Sequence, residues 1–203
     1  MSILLNKEVT SPIVDWVSNN IESAKKDPKD FGARQISFHL GYVLIFAQLQ
    51  SPTNKQFHGK GFPMQSLKRI EAELKELFNI PKESKYASMG TLLAYSEKGY
   101  LCRVHRDKTP DDEHCHVRLN VLISKSEIGG NPIIIKGGLY FGKHERCVYP
   151  IITSVEENEP WICLASEFEH STTLQDGETP RIMISFGYDV PRKVLEEHGY
   201  LKT

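Results

Sequence analysis

The second half of this 203-residue chain is a series of short apolar runs, among them MGTLLAY (89–95), HVRLNVLI (116–123), PWICLA (160–165) and RIMISFGY (181–188). Glycine, proline, asparagine and aspartate separate these runs, and no long helical period intervenes. Several short strands at such spacing predict an antiparallel sandwich or a small barrel. We therefore expect residues 88–190 to form a β-rich core.

The first half of the chain has a helical pattern at both of its ends. Ser11-Pro12 followed by apolar residues at helical spacing predicts a helix that Ser11 caps and that ends near Ala24. Residues 35–50 then predict a strand, and Ser66 caps a second predicted helix that Pro81 ends. We expect one mainly β domain with N-terminal helices over residues 1–203. It would comprise an α/β support region (1–87), the core, and a C-terminal tail (191–203).

Composition excludes several classes of protein. With 25 Lys and Arg against 26 Asp and Glu, the chain has no excess positive charge to attract duplex nucleic acid. Its longest apolar run, YVLIFA (42–47), is far shorter than the ~20 residues that span a bilayer. The N-terminus lacks the features of a secretory signal, and the four cysteines form no CxxC pair, so we expect a reducing, cytoplasmic location.

A possible metal site lies in the β-rich half. His105 and Asp107 form an H-x-D, whose two side chains project to the same side of an extended chain. The chain from His170 to Arg181 passes through a turn and returns as a strand, which brings the Arg181 guanidinium close to His170, the possible third ligand. Two histidines and one carboxylate leave three positions open on Fe(II). A nearby buried arginine can bind the far carboxylate of a dicarboxylic co-substrate.

These residues resemble the Fe(II)/2-oxoglutarate-dependent dioxygenases, whose motif is H-x-D, a long gap, and then a histidine followed by an arginine. The matching residues are His105, Asp107, His170 and Arg181, and the resemblance covers about residues 88–188. It implies a double-stranded β-helix, or jelly roll, in which the three ligands bind Fe(II). It also implies that Arg181 binds 2-oxoglutarate and that O2 is the second co-substrate.

Two branches of this family share further residues with the chain. The spacing of Tyr95, Gly99 and the H-x-D resembles the segment that precedes the first metal ligand in prolyl-hydroxylase-like members. Arg118-x-Asn120 and Phe168-Glu169-His170 resemble the aspartyl/asparaginyl β-hydroxylases. However, Asn120 stands where that second branch has histidine, and the carboxylate ligand Asp107 stands where that branch has none. Both branches therefore remain candidates.

The second donor to the co-substrate carboxylate is not fixed by the motif. Many members have a hydroxyl residue two positions after the arginine, whereas this chain has Met183 there. Ser185 shares the face of Arg181 but lies about 13 Å away along an extended strand. We therefore predict Tyr95 or Tyr140 as the second donor, with Ser185 as a further co-substrate contact.

The run from His116 to Leu122 alternates, so Arg118 and Asn120 share one face of a strand. In one interpretation they contact the 2-oxo-acid end of the co-substrate or the prime substrate. In the other, Arg118 forms a structural salt bridge, because a buried arginine needs a partner. A guanidinium beside the metal would pair with a carboxylate or a peptide carbonyl, so we predict hydroxylation of an amino-acid unit, free or in a peptide or protein, with proline and Asp/Asn leading.

Other hypotheses remain open at this point. His114 and His116 follow an acidic loop, and His116 is a reserve metal ligand. A zinc hydrolase could use the same two histidines and aspartate with a water molecule. A metal-free jelly-roll binding protein and a non-catalytic interaction protein are also possible. Arg181 has no evident purpose in these alternatives, and the sequence therefore favours the oxygenase.

Overall fold

The structure, a computed structural model, describes residues 4–31, 34–35, 41, 43–49, 57–135 and 150–201. Its helices in this part are α1 (Lys7–Lys26), α2 (Met64–Leu77) and α3 (Arg192–Glu197), with a 3-10 turn at Pro28–Phe31. Its strands are β1 (Arg34–Gln35), β2 (Val43–Leu49), β3 (Phe57–His58), β4 (Lys85–Ser96), β5 (His114–Ser124), β6 (Pro132–Ile135), β7 (Pro150–Ile152), β8 (Pro160–Leu164), β9 (Glu169–Thr172) and β10 (Arg181–Pro191).

Two antiparallel sheets form the core. The larger has the order β1-β2-β4-β10-β5-β8, with β3 also paired to β2, and the smaller has the order β7-β6-β9. β5 and β10 are neighbours in space although the chain between them forms β6 to β9. The chain thus leaves the larger sheet after β5, contributes β6 and β7 to the smaller sheet, returns for β8, crosses again for β9 and returns at β10. This connectivity is typical of a jelly roll, so the predicted antiparallel β core is present.

The alternation predicted for β5 separates an apolar face from a polar one. Val117, Leu119 and Val121 are fully buried in a core that also contains apolar residues of α1 and α2. Burying each such side chain contributes about 1.5–3 kcal/mol. Arg118 and Asn120 point to the opposite face and line a cavity between the two sheets. The helices therefore close one face of the larger sheet, while the other face forms the candidate site.

Both N-terminal helices begin earlier than predicted. Asn6, rather than Ser11, caps α1 by accepting a hydrogen bond from the backbone N–H of Glu8 at 2.9 Å. Pro12 consequently lies inside the helix, and the Ser11 hydroxyl donates to the carbonyl of Lys7. The prediction of a Ser11 cap was wrong because asparagine is at least as good an N-cap and lies farther upstream.

The second helix also differs from its prediction at both ends. α2 starts at Met64, before Ser66, and ends before Pro81 is reached. Asn79 has a φ of 53°, a left-handed backbone conformation that stops a helix. The predicted strand over 35–50 corresponds to β1 and β2, which pair with each other. Because β2 also pairs with β4, the N-terminal region extends the larger sheet as well as supporting it.

The predicted C-terminal tail contains the short helix α3, whose Leu195 is buried in the core. In the described part of the chain, no helix combines the length and apolarity that crossing a bilayer would require.

Candidate metal centre

The two histidines of the predicted triad are held together by the backbone. His105 N–H donates to the carbonyl of His170 at 3.0 Å, and His170 N–H donates back at 2.8 Å. Their ring centroids are 4.2 Å apart. Asp107 N–H donates to the carbonyl of Ala165 at 2.9 Å, just after β8. The H-x-D segment is therefore fixed against the strands that follow it, and backbone hydrogen bonds bring the three candidate ligands together.

The donor atoms of this triad suit a divalent cation. Ligand atoms of His105, Asp107 and His170 all lie within 4.8 Å of one another, and His105 Nε2 is 3.7 Å from Asp107 Oδ1. His105 Nδ1 lies 2.8 Å from the carbonyl oxygen of Arg103, and His170 Nδ1 lies 3.1 Å from that of Phe168. When Nδ1–H donates to a carbonyl, Nε2 keeps its lone pair for a metal ion. Two imidazoles and one carboxylate fit Fe(II).

The electrostatics of the site favour the ligand forms of these groups. Burial lowers the pKa of His170, and the neighbouring His105 lowers it further, which favours the neutral imidazole. Burial by itself would raise the pKa of Asp107, but Arg118 and His116 outweigh it and the pKa is lowered. A metal ion binds neutral histidine and ionised carboxylate, which are the forms that these shifts favour for His170 and Asp107.

Arg118 is paired with one of the candidate ligands. Its Nε donates to Asp107 Oδ2 at 3.0 Å, and the arginine is only 9% exposed. This contact is the salt bridge of the second interpretation above, although its partner is a candidate metal-ligand carboxylate and Arg118 also lines the cavity. Since Oδ2 is engaged by Arg118, Oδ1 is the oxygen that remains directed at His105.

The triad opens into a cavity of about 210 Å³ between the two sheets. Arg181, Met183 and Ser185 enter this cavity from β10, and Arg118 and Asn120 enter it from β5. Asn120 pairs in register with Ser185 on one side and with Trp161 of β8 on the other. The cavity therefore combines a polar row across the larger sheet with the three candidate ligands. Trp161 has no marker in the motif and was not predicted from the sequence.

Arg181 is a buried cation that has no acidic partner among the residues the structure describes. It is 3% exposed, and its Nη2 lies 3.1 Å from Met183 Sδ. Within the same described residues its Nε has no hydrogen-bond partner. No ion pair joins it to a carboxylate in the described part of the chain. Burial lowers the pKa of its guanidinium. Because an unpaired buried charge costs several kcal/mol, Arg181 makes this cavity suited to an anion.

The tyrosine predicted beside Arg181 lies elsewhere, and a different tyrosine takes its place. Leu92 and Ala94 of β4 face the cavity, so Tyr95 faces the other way, towards α1, and donates to Glu97 Oε1 at 2.6 Å. Tyr100 lines the cavity instead and contributes to the electrostatic environment of Arg181. Burial raises the pKa of Tyr100, so its phenol remains protonated. Tyr140 lies outside the described residues.

Two thiols also line the cavity. Burial raises the pKa of Cys102 to about 11 and that of Cys163 to about 12, so both are protonated at neutral pH. A protonated thiol is a poor metal ligand. The candidate centre is therefore a nitrogen and oxygen site.

The two histidines at the start of β5 are placed very differently. His114 is partly exposed and its Nδ1 lies 2.7 Å from Asp111 Oδ1. His116 is 2% exposed, and its Nε2 lies 3.4 Å from Asp107 Oδ2. His116 therefore reaches the carboxylate of the triad on the side of Oδ2, away from His105.

We expect His114→Ala to leave metal binding unchanged, and His116→Ala still to bind one metal ion per chain when metal is saturating. The physical reason is that His105, Asp107 and His170 supply three ligands without either residue. Metal content after equilibrium dialysis is the measurement. A metal content of zero in His116→Ala would make His116 a ligand and would contradict the H-x-D assignment.

Comparison with known proteins finds similar structures but no matching sequence. No family model and no curated protein matches the sequence. A Pseudomonas putida prolyl-4-hydroxylase is similar in structure, with a TM-score of 0.53 and 12% identity over 95% of this chain and 91% of that one. A 2OG-Fe(II) oxygenase family oxidoreductase from Burkholderia pseudomallei has a TM-score of 0.52 and 10% identity, over 87% and 89% of the two chains.

A third similar structure is a Trichoplax adhaerens prolyl hydroxylase in complex with a peptide fragment of the oxygen degradation domain of hypoxia inducible factor. Its TM-score is 0.54 and its identity 12%, over 100% of this chain and 86% of that one. The chain thus has the double-stranded β-helix fold of the 2-oxoglutarate- and Fe(II)-dependent oxygenases. Prolyl hydroxylases are among the proteins that share this fold with it.

Proposed function

We propose that this chain is an oxygenase that uses Fe(II), 2-oxoglutarate and O2 to hydroxylate an amino-acid unit, free or within a peptide. The observation that carries the proposal is the buried Arg181, which has no acidic partner among the described residues and lies in the same cavity as His105, Asp107 and His170. A zinc hydrolase has no need of this cation, and a metal-free binding protein has no need of the triad. A dicarboxylic co-substrate beside a metal ion uses both.

In the proposed reaction 2-oxoglutarate, O2 and a substrate C–H bond give succinate, CO2 and a C–OH group. One oxygen atom of O2 enters succinate and the other enters the substrate. Fe(II), when bound, supplies the redox chemistry of this exchange, and the protein supplies binding and orientation. His105 Nε2, His170 Nε2 and Asp107 Oδ1 would hold the iron.

The far carboxylate of 2-oxoglutarate would pair with Arg181, whose planar guanidinium can donate two parallel hydrogen bonds. The phenol of Tyr100 and the hydroxyl of Ser185 are additional donors for the co-substrate. Ser185 is 2% exposed, and its Oγ has no hydrogen-bond partner among the described residues, so a bound carboxylate or carbonyl would satisfy it. Asn120, beside Ser185 in register, extends this polar row towards Arg118.

Apolar side chains close much of the cavity. Leu92, Ala94 and Met183 from the larger sheet face Ile133 and Ile134 from the smaller one. Their role would be to exclude bulk water, which strengthens the charge interactions inside and limits side reactions. The prime substrate would enter beside the triad, where Trp161 and Arg118 offer a flat apolar surface and a cation.

An amino-acid unit as prime substrate is supported by two observations. Arg118 and Asn120 place a cation and an amide on the cavity face, and these groups pair with a carboxylate or a peptide carbonyl. A prolyl hydroxylase of similar fold holds a peptide. Among the described residues, Cys102, Cys115 and Cys163 are free thiols, which support a reducing cytoplasmic location.

We expect substrate-dependent succinate production when the Fe(II)-loaded protein meets a panel of amino acids and peptides under O2. Proline-containing and Asp/Asn-containing members should give the strongest response, accompanied by a product heavier by one oxygen atom in mass spectrometry. Methylated oligonucleotides and lipids serve as negative members, because the chain carries no excess of positive charge. Coupled turnover on oligonucleotides alone would refute the substrate assignment while leaving the oxygenase assignment in place.

A further inference from the structure

A row of buried and partly buried polar residues lies behind Asp107, on the side of its second oxygen. It consists of Arg118, His116 and Asp189, and we refer to it as the support row. Arg118 Nε lies 3.0 Å and His116 Nε2 lies 3.4 Å from Asp107 Oδ2. On the far side of its ring, His116 Nδ1 lies 3.5 Å from Asp189 Oδ1. His116 therefore stands between the candidate ligand and a second carboxylate.

The pairing of β5 with β10 creates this row. His116 is opposite Asp189 in register, and Arg118 is opposite Gly187. A Cβ atom at Gly187 would lie 3.3 Å from Arg118 Nη1 and 3.3 Å from His116 Nε2. The two side chains thus lie close above the backbone of β10, where a larger residue would displace them. Glycine at this position leaves room for the Arg118 guanidinium and the His116 ring to lie beside Asp107.

The support row is costly for folding alone. His116 Nε2 and Asp189 Oδ1 are buried, and neither makes a hydrogen bond of good geometry in the part of the chain that the structure describes. Each such group costs about 1–3 kcal/mol, and apolar residues of similar shape would often stabilise a fold at least as well. The cost is explained if the row acts on the carboxylate that it contacts.

We infer that His116, backed by Asp189, is a positioning residue that holds Oδ2 of Asp107 together with Arg118, so that Asp107 presents only Oδ1 to a metal ion. The inference rests on the proposed metal site. A carboxylate held by one oxygen binds a metal with one ligand atom, whereas a freed carboxylate can turn and bind with both. Residues that orient ligands in this way typically contribute 10–100-fold to metal affinity.

The test uses the full chain and Co²⁺, whose visible ligand-field absorption reports the number and arrangement of ligands. His116→Leu removes both ring nitrogens at similar volume, His116→Gln keeps an amide that can donate to Oδ2, and Asp189→Asn removes the charge behind His116. His114→Leu is the matched control, since His114 is bonded to Asp111 and away from the triad.

We expect His116→Leu to weaken Co²⁺ binding by about 10–100-fold and to alter the absorption spectrum, while one ion still binds per chain. His116→Gln should restore part of both, and His114→Leu should match the wild type. The double variant His116→Leu/Asp189→Asn should bind Co²⁺ no more weakly than His116→Leu, because Asp189 acts through His116. A role limited to folding would change the unfolding temperature without changing the spectrum.

Wild-type affinity and an unchanged spectrum in His116→Leu would overturn the inference. If His116→Leu fails to fold, Asp189→Asn takes its place in the test. We then expect Asp189→Asn to weaken Co²⁺ binding and to alter the absorption spectrum. Wild-type Co²⁺ affinity and an unchanged spectrum in Asp189→Asn would overturn the inference. Failure of the proposed function would look different, because the wild-type chain would then either bind no Co²⁺ at all or bind it without any change of its spectrum when 2-oxoglutarate is added.

Discussion

Replacing His170 with alanine is expected to abolish metal binding, and Asp107→Ala should have the same effect. Each change removes one of three ligands and leaves two, which hold a divalent cation far more weakly. When 2-oxoglutarate is added anaerobically to the Fe(II)-loaded wild-type protein, we expect a weak visible charge-transfer band. Neither variant should produce it. The His114→Ala protein is the control and should retain the band, because His114 lies outside the triad.

A folding control accompanies this experiment, since His170 also belongs to β9. The backbone hydrogen bonds between His170 and His105 do not depend on the side chain, so His170→Ala should keep its cooperative thermal unfolding. Asp107→Asn tests the charge with almost no change of volume. If both ligand variants gave the wild-type spectrum, the triad assignment would have to be abandoned, and the proposed oxygenase function with it.

Replacing Arg181 with methionine is expected to weaken 2-oxoglutarate binding by about 2–5 kcal/mol, the usual effect of removing one partner of a buried charge pair. This corresponds to a loss of affinity between about 30-fold and several thousand-fold. Affinity for the metal alone should barely change, because Arg181 is not one of the ligands. Calorimetric titration with Mn²⁺ and then with 2-oxoglutarate separates the two. Arg69→Met, on the exposed face of α2, is the matched control.

The Arg181→Met substitution, which weakens co-substrate binding, should not destabilise the ligand-free protein. Arg181 is buried and lacks an acidic partner in the described structure, so its removal eliminates a desolvated charge. We expect the unfolding temperature of ligand-free Arg181→Met to equal or exceed that of the wild type. An equal loss of metal and co-substrate binding, or a large drop in stability, would indicate that Arg181 has a structural role instead.

Local patterns explain which parts of the fold could be predicted. Strand alternation separates Leu119 from Arg118 within β5, because successive side chains on a strand point to opposite faces. The H-x-D spacing brings His105 and Asp107 to one side for the same reason. Such features depend on neighbours in the sequence, and the chemistry of two histidines and a carboxylate then indicates a metal.

The features that were missed depend on how the chain turns and on contacts between distant residues. β4 ends at Ser96, and a turn through Gly99, with a φ of 85°, returns the chain to the cavity. Tyr100 enters the cavity by this turn, whereas Tyr95 is still on the strand and faces α1. No periodicity signals such a reversal. The contact of His116 with Asp107 likewise requires the packing of the H-x-D segment beside β5.

The backbone bridge between His105 and His170 also has a consequence for biosynthesis. The two residues are 65 positions apart (170 − 105), so at about 5–20 residues per second the ribosome adds the second roughly 3–13 s after the first. During that interval the emerging polypeptide carries an isolated His-Asp pair, which chelates cations poorly. In the proposed function, a metal ion would consequently be selected only once His170 has been made and the β-helix has formed, with the ligand spacing already set.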